Sequence, residues 1–201
     1  MAPDSRHIQF RFDPEKFTSC VAFLASKNVP NLDKLKIAKL IFFADKLHLQ
    51  KYCRPITGDY YKHIDFGPVP QHSLDVLNDI EFDRPAGEQG RHNRHVFEER
   101  IACNQHARPY PLFHIRHEET FDSLSESEKE ILDEVIARYG AMTGGQLIDE
   151  THKEAACTKT DYNSTIDYDL LLDDLDDDAR AEIIEVLEHD QELRDIFELS
   201  S

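Results

Sequence analysis

At 201 residues, with 40% hydrophobic and 9% aromatic content, the chain is long enough to bury a core in one domain and too apolar for a disordered segment. Forty acidic against 23 basic residues leave a net charge of −17, a surplus that repels phosphates unless basic groups segregate on one face, so nucleic acid is not an expected partner. No apolar run approaches the ~20 residues of a membrane span, the opening MAPDSRHIQFRFDPEKF lacks the order of a secretory signal, and four scattered cysteines (Cys20, Cys53, Cys103 and Cys157) read as reduced thiols of a cytoplasmic protein.

The first predicted helix runs from Asp13 to Lys27: Asp13 caps it, Pro14 suits the first helical position, and Phe17, Val21 and Leu24 recur at helical spacing. After Asn28-Val29-Pro30, Asn31 or Asp33 starts a longer helix to about Tyr52. Its middle, Leu40-Ile41-Phe42-Phe43-Ala44, is apolar all round and so implies neighbours on several sides. Pro55, Gly58, Gly67, Pro68 and Pro70 keep residues 53–70 mostly non-helical, with a short strand expected over 59–64. A helix over 70–82 follows, with Leu74, Leu77 and Ile80 inward. Residues 84–94 read as a loop by composition, and 95–103 and 111–117 as alternating segments of a small sheet or hairpin.

From Ser125 the helical signal strengthens. Ser125 and Glu128 have capping-box spacing, Ile131, Leu132, Val135, Ile136 and Tyr139 form one face, and Thr143 caps another helix reaching His152. Residues 169–201 carry thirteen acidic residues and two arginines, yet Ile183, Ile184 and Leu187, then Leu193, Ile196 and Phe197, predict a pair of amphipathic helices. The expected fold is mainly α (α+β): a compact helical domain, 13–157, around a buried central helix with a small hairpin or sheet, extended by an acidic helical segment, 158–201.

Several constellations bear on function. Asp45 and His48 share a helical face, and Asp59 and His63 follow in the breaker-rich loop, so an acid–base or metal-dependent enzyme could centre on these four. The competing reading has Asp45 and His48 hydrogen-bonding that loop and fixing its buried backbone groups; no nucleophile elbow, phosphate loop or HExxH supports catalysis, and no catalytic residue or cofactor is assigned. Tyr52, Tyr60, Tyr61 and Phe66 suit either a recognition surface or core cover. Residues 84–117 form a basic island with six arginines and five histidines, expected to pair with the chain's own acidic C-terminal helices. Cys103-x2-His106-x7-His114-x2-His117 has a spacing that could be drawn as zinc ligands, but prolines interrupt it and no metal is assigned.

Residues 39–70 resemble the signature of the SocA-like antitoxin family, the Panacea domain. Its KLLYFAD-like helix matches Lys39-Leu40-Ile41-Phe42-Phe43-Ala44-Asp45, followed by His48. Its R-P-I-T-G-D turn matches Arg54-Pro55-Ile56-Thr57-Gly58-Asp59, and its Y-G-P-V segment matches Phe66-Gly67-Pro68-Val69. A second similar stretch runs from Leu124 through Ser125 and Glu128 and Tyr139-Gly140 to Thr151-His152; the tryptophan that often follows that histidine is absent. The resemblance implies a mainly helical, non-enzymatic domain that neutralises a cognate toxin, encoded by the adjacent gene, through direct protein binding, with a bacterial protease as a further partner. It casts Lys39, Asp45, His48, Arg54, Pro55, Thr57, Gly58, Asp59, Gly67, Pro68 and His152 as motif residues of the scaffold. Tyr60, Tyr61, Phe66, Arg91 and Arg94 are the candidates for contacting the partner, which the 84–117 segment and the C-terminal helices would select. A DNA-binding autoregulator is the remaining alternative, disfavoured by charge and by the lack of a basic recognition helix.

Overall fold

A computed structural model describes residues 8–84 and 87–198; Pro85 and Ala86, within the segment read as a loop, lie outside the described residues. The elements open as their caps predict. Helix α1, Pro14–Ser26, begins where the Asp13 side chain accepts from the Lys16 amide, and α2, Lys34–Tyr52, begins where Asp33, rather than Asn31, accepts from the Lys36 amide. Leu40 to Ala44 are each at most 2% exposed, because α2 packs against the later helices Gln71–Glu81, Glu126–Tyr139 and Gly144–Thr151, and against the strand Gly67–Pro70 and the 3-10 turn Tyr168–Leu172. Each large side chain buried there contributes about 2 kcal/mol relative to exposure.

The predicted short strand is β1, Tyr61–Ile64, paired antiparallel with β2, Gly67–Pro70. The free edge of β1 is closed by a bridge from Lys62 to Thr165, so the hairpin offers no open strand there. Helix α3, Gln71–Glu81, buries Val76, Leu77 and Ile80; Leu74, read as inward, is only half-buried.

Two expectations fail here. Residues 88–100, read as the end of a loop and the start of a strand, form a thirteen-residue helix, α4, Glu88–Arg100. Its Asn93, Val96 and Phe97 are buried at helical spacing, a signal that Gly90 and the dense charge around it dilute. The strand β3, Ile101–Asn104, starts only afterwards and pairs with β4, Leu112–Ile115, in the expected hairpin.

Helix α5, Glu126–Tyr139, carries the predicted Ser125–Glu128 capping box, and α6, Gly144–Thr151, carries one between Thr143 and Gln146. A short helix, α7, Ala155–Thr158, and a 3-10 turn, Tyr168–Leu172, lead to α8, Asp177–Glu198. The acidic segment is therefore one 3-10 turn and one 22-residue helix rather than two helices; the side chain of Phe197 and residues 199–201 lie outside the described ones. Ile166, Tyr168, Leu171 and Leu172 join the same core as α1 and α2, so the region after 158 is tied to the domain. Among the described residues no helix is long and apolar enough to cross a membrane.

Candidate functional site

The motif residues converge, and most of what they do is internal. Asp45, fully buried on α2, faces the turn 55–59. One carboxylate oxygen accepts from the Ile56 and Thr57 amides, both at 2.8 Å, and the other from the Thr57 hydroxyl and, at 2.7 Å, the Tyr61 hydroxyl. Burial pushes its pKa up to about 6, while the Thr57 and Tyr61 donors pull it back down. The carboxylate thus holds a turn whose amides would otherwise be orphaned in the core. Gly58 sits in the left-handed region (φ +65°), and a β-carbon there would lie 2.4 Å from the Arg11 carbonyl oxygen, which accounts for a glycine in this turn.

Asp59 caps a helix from a distance. Helix α3 follows Pro70, which offers it no side-chain cap; the Asp59 carboxylate accepts from the His72 amide at 3.0 Å, the Ser73 amide at 2.7 Å and the Ser73 hydroxyl at 2.7 Å. These are orphan donors of the first turn, where a negative charge also meets the favourable end of the helix dipole. Burial raises the Asp59 pKa against the Ser73 and His72 hydrogen bonds, which hold it down.

Arg54 and His48 bind the two similar stretches to each other. Arg54 reaches Glu128 of the α5 capping box at 2.9 Å, and Glu128 also takes Lys16 Nζ at 2.6 Å and the Ser125 amide at 2.8 Å. The His48 Nδ1–H donates to the Arg54 carbonyl at 2.6 Å, leaving Nε2, 3.2 Å away, to accept from the Ser127 hydroxyl. Burial depresses the His48 pKa.

A third cluster joins Lys39, Gly67, Pro68 and His152. Lys39 is buried, its Nζ donates to the Pro68 carbonyl at 3.0 Å, and burial lowers its pKa to about 8. Gly67 (φ +86°) lies where a β-carbon would be 2.9 Å from Thr151 Oγ1, 3.2 Å from Lys39 Nζ and 3.3 Å from His152 Cδ2. Gly67→Ala is therefore expected to cost about 2 kcal/mol, from backbone strain and crowding together. The measurement is a urea midpoint, which should fall with an unchanged slope; an unshifted midpoint would contradict this close approach.

The candidate enzyme quartet is not assembled. Asp45 and Asp59 serve separate backbone segments, His48 faces Arg54 and Ser127, and the His63 Nδ1–H donates to the Thr160 carbonyl at 2.8 Å. Nor do Cys103, His106, His114 and His117 gather: among the described residues no group of three or more His, Cys, Asp or Glu is placed to hold a metal ion.

The partner-contact candidates separate. Tyr61 is 1% exposed, its ring packed edge-on against Phe42; offering it to a partner is corrected by the strand alternation, which turns it inward to Asp45. Tyr60 is exposed beside His72. Phe66, at the tip of the β1–β2 hairpin, is 56% exposed. Arg94 is engaged by Asp83 at 2.8 Å and Glu98 at 3.0 Å, and Arg100 by Glu119. Among the described residues the basic island thus pairs within residues 83–119 rather than with the C-terminal helix as expected. Arg91 is exposed.

Phe66 borders an apolar opening of the surface. A groove of about 660 Å³ runs between the start of α2, the hairpin, α3 and α6, walled by Leu35, Ala38, Ile64, Val69, Leu74 and Ile148, with Phe66 and Tyr110 at its rim. Tyr110 is 63% exposed. Sequence reasoning missed Tyr110, Leu35 and Ile148, which come from three segments and share no local pattern.

Comparison with known proteins gives one family match: the model described as antitoxin SocA-like, Panacea domain, matches residues 37–157. Searches of the curated proteins and of the solved structures return no match.

Proposed function

The chain belongs to the SocA-like antitoxin, Panacea domain family, and from that premise we propose that it neutralises a toxin protein by binding it directly, the toxin being the product of the adjacent gene. Membership supports an antitoxin role, and the disposition of the motif residues supports binding over chemistry: Asp45, Asp59, Arg54 and Lys39 are engaged in holding turns and helices. The observation that carries the reading is the apolar groove with Phe66 and Tyr110 exposed at its rim. Aromatic anchors beside a preformed apolar cleft are what a protein partner uses for most of its binding energy. In this reading the motif residues are the frame, the groove seats an apolar segment of the toxin, and delivery to a protease is a further step available to the complex.

Co-expression tests it. The adjacent gene's product should arrest growth alone, be silenced by this chain and co-purify with it. Phe66→Ala with Tyr110→Ala should keep the melting temperature, since both side chains are exposed, yet weaken binding about 1,000-fold, equivalent to two anchors of roughly 2 kcal/mol each, with a larger loss if they couple. A neighbour that is harmless alone and does not bind sinks the antitoxin reading; full neutralisation by the folded double variant removes the groove from it.

A further inference from the structure

We propose that the outward face of α8 docks a basic amphipathic helix of the partner protein. The inference deepens the toxin reading, on which it rests for the partner's identity. Helix α8 is about 33 Å long at 1.5 Å per residue, and it is held to the domain by Ile183 and Leu187, 7% and 1% exposed. That inner edge suffices to seat it. Val186 and Leu193 point elsewhere: they are 40% and 41% exposed and, seven residues apart, fall on one line about 10 Å long.

Acids frame this line. Glu182 and Asp190 stand four residues before and after Val186 and so share its face, and both are exposed, as is Glu185 beside them. Nine acidic residues against two arginines make α8 the most concentrated negative element of the chain. Both arginines are engaged inside the molecule, Arg180 with Asp169 and Asp173 and Arg194 over the Phe10 ring. Among the described residues neither Glu182, Glu185 nor Asp190 forms an ion pair.

Two apolar anchors two turns apart, bounded by unpaired carboxylates, match a helix with Leu- or Ile-like anchors flanked by Lys or Arg. A second copy of this chain fits poorly, because pairing α8 with itself opposes carboxylates. The helix also lies outside residues 37–157, the stretch matched by the family model, as expected of a surface that distinguishes one family member's partner from another's.

The test uses the full chain and a fluorescein-labelled 18-residue helical peptide with leucines along one face and lysines on the other, against a scrambled peptide of equal composition, by anisotropy at 0.15 M salt. The amphipathic peptide should bind about tenfold tighter than the scramble. V186S with L193S should abolish that preference without lowering the melting midpoint, and E182K with E185K and D190K should weaken both peptides. No preference in the native chain, a preference that survives V186S/L193S, or a fall in melting midpoint that marks these two as core residues overturns the docking face. Co-expression with the adjacent gene's product separates the two readings. Failure of the native chain to rescue sinks the toxin reading, with the peptide result still deciding the face. Rescue by V186S/L193S equal to that of the native chain overturns the toxin as its occupant.

Discussion

Asp45→Ala is expected to destabilise the protein by about 3–5 kcal/mol, and Asp45→Asn by no more than about 1. Alanine leaves four donors without an acceptor in a dry site: the Ile56 and Thr57 amides and the Thr57 and Tyr61 hydroxyls. Each buried orphan costs about 1–3 kcal/mol, and partial collapse keeps the sum below the simple total. Asparagine keeps an oxygen for the two amides and turns its NH2 toward the two hydroxyls, which can accept. The pH dependence separates the two residues further. Asp45 titrates near 6 in the fold against 3.8 ordinarily, so the folded chain holds its proton more tightly than the unfolded one. Its stabilising contribution is complete below about pH 3.8 and is lost as pH rises through about 6. Moving from pH 4 to pH 7 should therefore shift the stability difference in favour of Asp45→Asn, measured by urea unfolding. An Asp45→Asn variant that folds normally yet fails to silence the toxin would contradict the scaffold role.

The parts of this scaffold that sequence made legible are those with local chemistry. Asp13, Asp33, Ser125 and Thr143 cap helices because a short acceptor precedes each apolar run, and all four do so here. The all-round apolar stretch of α2 could only sit inside, and it does. Asp45 and His48, expected to hydrogen-bond the breaker-rich loop, do bond its backbone at Ile56, Thr57 and Arg54, but these targets were not readable, and Asp59 carried no such expectation. That Asp59 caps α3, fourteen residues ahead of Ser73, depends on how the hairpin folds back. Likewise the Tyr60–Tyr61 pair gives two aromatics in succession without saying which one the strand turns inward; the register of β1 with β2 decides that. Helix α4 was hidden because its buried face is only Asn93, Val96 and Phe97, two of them apolar, within a charged run. Its helical state is set by the surface it covers on α1 and α3 rather than by its own propensity. The groove was invisible for a related reason: Leu35, Ile64, Tyr110 and Ile148 become neighbours only in three dimensions.

Glu128 provides the second large effect, with the opposite pH sign. Its side chain is fully buried and receives Lys16, Arg54 and the Ser125 amide, so it both closes the α5 capping box and neutralises two cations. Burial works to raise its pKa, but the hydrogen bonds from Lys16, Ser125 and Arg54 prevail and hold it below its usual value. Glu128→Ala removes the capping bond, worth about 1 kcal/mol, and leaves two cations facing an apolar gap. Those cations keep partial solvent access, Lys16 at 24% and Arg54 at 48% exposed, which limits their share to about 2 kcal/mol rather than the 3–5 of a fully buried pair. A total near 3 kcal/mol is expected. Because the folded pKa is depressed, the contribution is present above the ordinary 4.5 and is lost as pH falls through the lower folded value. Glu128→Gln, which keeps the shape and loses the charge, should thus be less stable than the native chain at pH 7 and should converge with it on acidification below pH 4.5. A stability gap between the two that stays constant from pH 7 to pH 3 would show that Glu128 acts through packing alone, and that the link from Arg54 to α5 is not electrostatic.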